Sequence, residues 1–150
     1  MSFTRIYVDS NIFIRAFEGA SDDPVSQGLL SLFGLSGSRA NPAFVTSQMT
    51  LAEMLVQPIR DNDLTRQLQY KVLLSASSNW LNVSSVSRSV LVSAAAIRAG
   101  QKMKLTDAIH MATAKNVRCS HVLTADADFG ESSFAPTEVN ISAMQKWLSE

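Results

Sequence analysis

Only one cysteine, Cys119, occurs in the 150 residues, so no intrachain disulfide can form and a stapled secreted scaffold is excluded. Histidine is nearly as scarce: His110 and His121 cannot, with that cysteine, supply a zinc or iron site of soft ligands. Neither charge sign is in excess. Thirteen basic and 13 acidic residues cancel, which argues against a uniformly basic nucleic-acid coat but allows a local basic rim beside an acidic site. No apolar run approaches the ~20 residues of a membrane span, and no basic segment leads into an apolar signal region. No membrane association is expected, and the expected location is the cytoplasm. A Gly-rich phosphate loop and a Gly-Lys-Ser/Thr motif are also missing, which disfavours a kinase-like phosphotransfer enzyme.

What is present is ordinary for a globular chain: 46% hydrophobic and 17% charged residues, enough for one domain over 1–150 with a sizeable core. The organising stretch is Arg5 to Ile14, RIYVDSNIFI. Ile6, Tyr7 and Val8 read as a buried strand, Asp9 ends it, and Ser10 and Asn11 open a helix with Ile12, Phe13, Ile14 and Phe17 on an apolar face. A second helix is expected from Pro24 to about Leu35, and a loop over 36–42 leads to a short strand at 43–46. Thr46 or Ser47 caps a third helix, Gln48 to Gln57, ended by Pro58. The fourth, Leu64 to Ala76, carries Leu64, Leu68 and Val72 at helical spacing, with Arg66 and Lys71 exposed.

A third strand is read at 80–86 and a fifth helix at 88–99, closed by Gly100. A sixth helix starts at Thr106 or Asp107, and His121–Thr124 is a fourth strand followed by a polar loop. Glu138 to Ile141 is taken as a fifth strand, with Ser142 capping a last helix. Strands alternating with helices predict an α/β fold, a three-layer sandwich on a mostly parallel sheet.

Such a sheet gathers the carboxyl ends of its strands along one edge, where open α/β sheets bind ligands. Asp9 follows the first strand, Asp126 and Asp128 follow the fourth, and Asp107 opens the helix leading into it. Glu53 lies one or two turns into the helix after the second strand. Asp9 or Asp107 alone would be read as a helix cap, and Glu53 alone as part of a solvated face. Converging, they would raise one another's pKa unless a cation held them ionised. An all-oxygen site of this kind suits Mg²⁺ or Mn²⁺, whose natural chemistry is phosphodiester hydrolysis.

Four segments, Asp9-Ser10-Asn11 after a hydrophobic strand, Thr50 to Leu55, Leu105 to Ala114 and Leu123 to Phe129, resemble the motifs of the PIN domain. In particular they resemble the VapC-type toxin ribonucleases of bacterial toxin–antitoxin pairs, in order and over essentially the whole chain. The resemblance implies a metal-dependent endoribonuclease, a homodimer held in check by a cognate VapB-type antitoxin. It carries over Asp9, Glu53, Asp107 and Asp126 as the acidic quartet, with Asp128 as either an auxiliary ligand or a loop residue and Ser10 or Asn11 as a site hydrogen-bonder. Asp126 is preferred to Asp128 because it lies nearer the strand end.

Arg98, Lys102 and Lys104 precede Asp107, and Arg15 follows Asn11 by about a turn; these are the candidate phosphate contacts for RNA. His110, one turn past Asp107, is read as a packed or surface histidine rather than a base. Trp80 and Trp147 are read as packing residues rather than base-stacking platforms. Two alternatives stand beside this reading: an inactive PIN-like module that binds RNA or protein, and a metal-dependent phosphatase on a related fold. Asp9-Ser10-Asn11 lacks the second aspartate of an aspartyl-phosphate loop, which weighs against the latter.

Overall fold

The computed structural model describes residues 3–75, 78–126, 129–130 and 132–150. Ala76, the expected end of the fourth helix, and Ala127 and Asp128 of the fourth motif lie outside the described residues. Five strands, β1 (Ile6–Val8), β2 (Phe44–Ser47), β3 (Leu81–Ser84), β4 (His121–Leu123) and β5 (Ser133–Phe134), form one sheet in the order β3-β2-β1-β4-β5. Every pairing is parallel. Between them run α1 (Ser10–Glu18), α2 (Pro24–Ser36), α3 (Gln48–Arg60), α4 (Leu64–Leu73), α5 (Arg88–Gly100), α6 (Leu105–Asn116) and α7 (Glu138–Ser149).

The sheet is buried on both faces, which explains the unbroken apolar strands. Ile6 and Val8 face a core with Phe13, Leu29, Leu32, Phe33 and Met144, supplied by α1, α2 and α7. Tyr7, between them, faces the opposite side with Val45, Ala114 and Val122. Beside it α5 and α6 pack through Val90, Ala94, Ala108 and Ala112, whose small side chains allow close approach. Strand alternation therefore sends Tyr7 toward α6, and Asp9, two residues on, follows the same parity.

Chain order reverses at β1: β2 lies on one side of it and β4 on the other. The carboxyl ends of β1 and β4 thus frame a topological switch point, the crevice in which open α/β sheets bind ligands.

Three expectations are corrected. Pro58 does not stop α3; it is buried inside the helix, which runs to Arg60. Termination falls instead at Asn62, whose φ of 53° is a left-handed conformation that asparagine tolerates. Residues 138–141 are not a strand. Thr137 caps α7 by accepting the Asn140 N–H, and Ile141, Met144 and Leu148 bury at helical spacing; the fifth strand is Ser133–Phe134, paired with β4. The α4 stripe points outward: Leu64, Leu68 and Val72 are 75%, 64% and 66% exposed, and Tyr70 is the residue turned inward.

Candidate functional site

Asp9 sits at the switch point with both carboxylate oxygens engaged. Oδ1 accepts the Ser10 N–H at 2.8 Å, the local contact that starts α1, so the capping reading and the site reading describe the same side chain. Oδ2 accepts the Thr124 hydroxyl at 2.8 Å, and the same hydroxyl accepts the Asp126 N–H at 3.0 Å. Thr124 therefore ties the loop after β4 to the carboxylate after β1. Asn11 makes a second, longer tie, with Nδ2 donating to Asp9 Oδ2 and Oδ1 accepting the Ala125 N–H, each at 3.4 Å.

Glu53 arrives from α3. That helix follows β2 without a loop because Ser47 ends the strand and caps the helix, accepting the Met49 N–H at 3.0 Å. Thr50 turns inward and exchanges a 2.7 Å hydrogen bond with Thr46, whose hydroxyl also contacts the Val8 carbonyl. Pinned in this way, α3 presents Glu53 to α6.

There the carboxylate meets His110, which is fully buried. Nε2 of the imidazole hydrogen-bonds Glu53 Oε1 and lies 3.8 Å from Asp9 Oδ1. Nδ1 is hydrogen-bonded to the Tyr7 hydroxyl. One ligand atom each from Asp9, Glu53 and His110 falls within 4.8 Å of the others, a spacing a metal ion can bridge. Among the described residues, no other group of three His, Cys, Asp or Glu side chains meets that spacing.

Asp107 and His110 are three residues apart on α6 and so share a face. Burial pushes the Asp107 carboxyl up from the usual range; the charges of Asp126, Asp9 and Glu53 push the same way, and His110 opposes them. The carboxylates thus act on one another electrostatically. Asp107 and Asp126 also line a cavity of about 370 Å³ together with Arg98, Met103, Lys102 and Lys104. The basic rim expected from the sequence adjoins the acidic centre, while Arg15 is engaged elsewhere, 3.2 Å from Asp23.

Of the predicted quartet, Asp9 and Glu53 are brought within ligand range of each other together with His110, whereas Asp107 and Asp126 line the adjoining cavity. Ser10, through its N–H, and Asn11 hydrogen-bond Asp9, and Asp128 lies outside the described residues. The sequence reading left out Tyr7, Thr124 and the site role of His110. Two signals were available: the three-residue spacing of Asp107 and His110 on a helix, and the shared parity of Tyr7 and Asp9. The donor set fits a divalent cation, because hard carboxylate oxygens predominate among the ligand atoms that Asp9, Glu53 and His110 bring together.

A family model of the PIN domain matches residues 6–134. Among solved structures, the chain is similar to one in a toxin–antitoxin complex from Klebsiella pneumoniae, at 24% identity and a TM-score of 0.63, covering 90% of this chain and 99% of that one. It is also similar to VapC20 of Mycobacterium tuberculosis, a sarcin-ricin loop cleaving toxin, at 17% identity and a TM-score of 0.62, covering 83% and 92%. At such identities the likeness speaks for the fold. No curated protein sequence matches the chain.

Proposed function

The chain belongs to the PIN domain family, and on that premise we propose that it is a Mg²⁺- or Mn²⁺-dependent endoribonuclease, the toxin of a toxin–antitoxin pair. The observation that carries the reading is the meeting of Asp9 and Glu53 beside His110 at the switch point, with the Asp107 carboxyl pushed up by burial and then by its acidic neighbours. Asp9, Glu53, Asp107 and Asp126 are the residues that would hold the cation. A divalent cation bound there supplies Lewis-acid activation of water and charge neutralisation for phosphodiester hydrolysis.

The chain's own residues supply orientation. Thr124 and Ser10 fix the Asp9 carboxylate, and the neighbouring helices α3 and α6 carry Glu53 and Asp107. Arg98, Lys102 and Lys104, exposed along the cavity that Asp107 and Asp126 line, offer charge to RNA phosphates on a chain that has no net charge of its own.

The reading extends to partners: a second copy of the chain and a VapB-type antitoxin. The exposed apolar sides of α2 and α3, where Leu30, Leu35, Val56 and Ile59 reach the surface, are the groove we assign to the antitoxin. Hydrogen-exchange protection of those helices on antitoxin binding supports that assignment, and protection elsewhere removes it. Among the described residues no helix is long and apolar enough to cross a membrane.

The decisive experiment is cleavage of total cellular RNA and of a sarcin–ricin hairpin in Mn²⁺ or Mg²⁺, with EDTA and Asp9→Asn controls. Cuts that vanish in both controls establish the activity. RNA left intact by protein shown to bind Mn²⁺ favours the inactive binding module.

A further inference from the structure

We infer that Tyr7 and His110 form a positioning pair for the Glu53 carboxylate: the phenol donates to His110 Nδ1, and the hydrogen thereby placed on Nε2 is donated to Glu53 Oε1. The inference rests on the metal-dependent nuclease reading of this site. It assigns His110 as an orienting donor and not, through Nε2, as a ligand.

Geometry selects the direction of the chain of donors. The Tyr7 ring is fully buried on the central strand, which is paired on both sides, so its hydroxyl is a rigid fixture. It approaches His110 edge-on, with ring centroids 5.6 Å apart and planes at 62°. A phenol carries an O–H and so has a hydrogen to give. Thr46 and Thr50 lie near the phenol as well, but among the described residues Nδ1 is the partner found at hydrogen-bond distance from the Tyr7 hydroxyl. A neutral imidazole that accepts at Nδ1 carries its hydrogen on Nε2.

That hydrogen has one partner at hydrogen-bond range. Asp9 Oδ1 is 3.8 Å from Nε2, too far, whereas Glu53 Oε1 is in contact. The opposite tautomer would set the Nε2 lone pair against a carboxylate oxygen. Glu53 needs such a partner more than Asp9 does. Its side chain is 29% exposed, the Asp9 side chain only 7%, and among the described residues His110 is its one hydrogen-bond partner. Without His110, the torsions of a long carboxylate side chain would spread over several rotamers, and the entropy of ordering them would fall on cation binding.

The test combines a spectroscopic readout with metal affinity, both on the full chain. Long-range ¹H–¹⁵N spectra of the metal-free protein should show His110 as the Nε2–H tautomer, and Tyr7→Phe, which keeps the ring that fills the core, should turn it into a mixture. An Nδ1–H or doubly protonated ring in the wild type, or a tautomer indifferent to Tyr7→Phe, overturns the inference.

Mn²⁺ titration by calorimetry should show Tyr7→Phe and His110→Leu weakened about 10-fold or more, as loss of an orienting partner does. His110→Gln, which restores a side-chain N–H, should recover part of that loss; equal affinities for the Gln and Leu variants refute an orienting role. A wild type that holds no Mn²⁺ overturns the metal-site reading and this inference with it. A wild type that binds Mn²⁺ no better than Tyr7→Phe overturns the positioning pair alone.

Discussion

Replacing Thr124 with valine keeps the shape of the side chain and removes the hydroxyl that joins the loop after β4 to Asp9. Two hydrogen bonds go: donation to Asp9 Oδ2 at 2.8 Å and acceptance of the Asp126 N–H at 3.0 Å. Thr124 is 2% exposed, so water does not take over. A hydrogen bond to a charged group contributes about 1.5–3 kcal/mol and one between neutral groups about 1 kcal/mol. The added methyl returns about 1 kcal/mol through burial. Asp9 keeps its Ser10 N–H and the longer Asn11 contact, so the carboxylate is not stranded.

The balance is a loss of about 2 kcal/mol, which lowers Tm by about 4–8 °C in a domain of this length. Thermal unfolding in EDTA followed by circular dichroism measures it. Calorimetric Mn²⁺ titration should show weaker binding by Thr124→Val, because Asp9 and Asp126 lose their common tie, and near-normal binding by Thr124→Ser. A valine variant that melts within about 1 °C of the wild type and binds Mn²⁺ equally well would refute the role given to this hydroxyl.

Asp107 sets a pH dependence. Its carboxyl is raised in the folded chain, so the folded state holds that proton more tightly than the unfolded one. Metal-free stability should therefore fall as pH rises from the ordinary aspartate value through the raised one. Asp107→Asn should flatten that limb in denaturant titrations at successive pH values, and an unchanged slope would contradict it. Charge reversal at Lys102 and Lys104 should weaken RNA binding and reduce its salt dependence in filter binding; an unaltered salt slope takes them off the RNA surface. The Cys119 thiol is pushed up to about 12 by burial, so iodoacetamide at pH 8 should leave the folded chain unmodified while labelling the urea-unfolded chain. Rapid labelling of the folded protein would show that the thiol is not shielded.

Local chemistry made much of the fold legible. The apolar run Ile6–Val8, the caps at Asp9 and Ser47 and the alternation of strands and helices were enough for an α/β sandwich. Errors fell where local signals compete with packing. Pro58 reads as a stop, yet its ring buries within α3 and the helix passes through it. Val139 and Ile141 read as a strand, yet Ile141 shares a helical face with Met144 and Leu148 and the core takes that face. The α4 stripe is helical in period, but period alone does not say which side meets the core, and here Tyr70 took that place.

The same division holds at the site. Sequence by itself determined the candidate carboxylates: Asp9 and Asp126 after strands, Asp107 near a helix start and Glu53 one or two turns into another helix, on a chain of zero net charge. Spacing along the chain carried that much because each carboxylate is held by its own local element. Only the tertiary structure decided that His110 would stand between Tyr7 and Glu53, and that Thr124 would hold Asp9 and Asp126 together. Those contacts join residues from four separate strand and helix units. Their existence depends on the crossing of β1, α3, α6 and β4 at the point where strand order reverses, which no local pattern encodes.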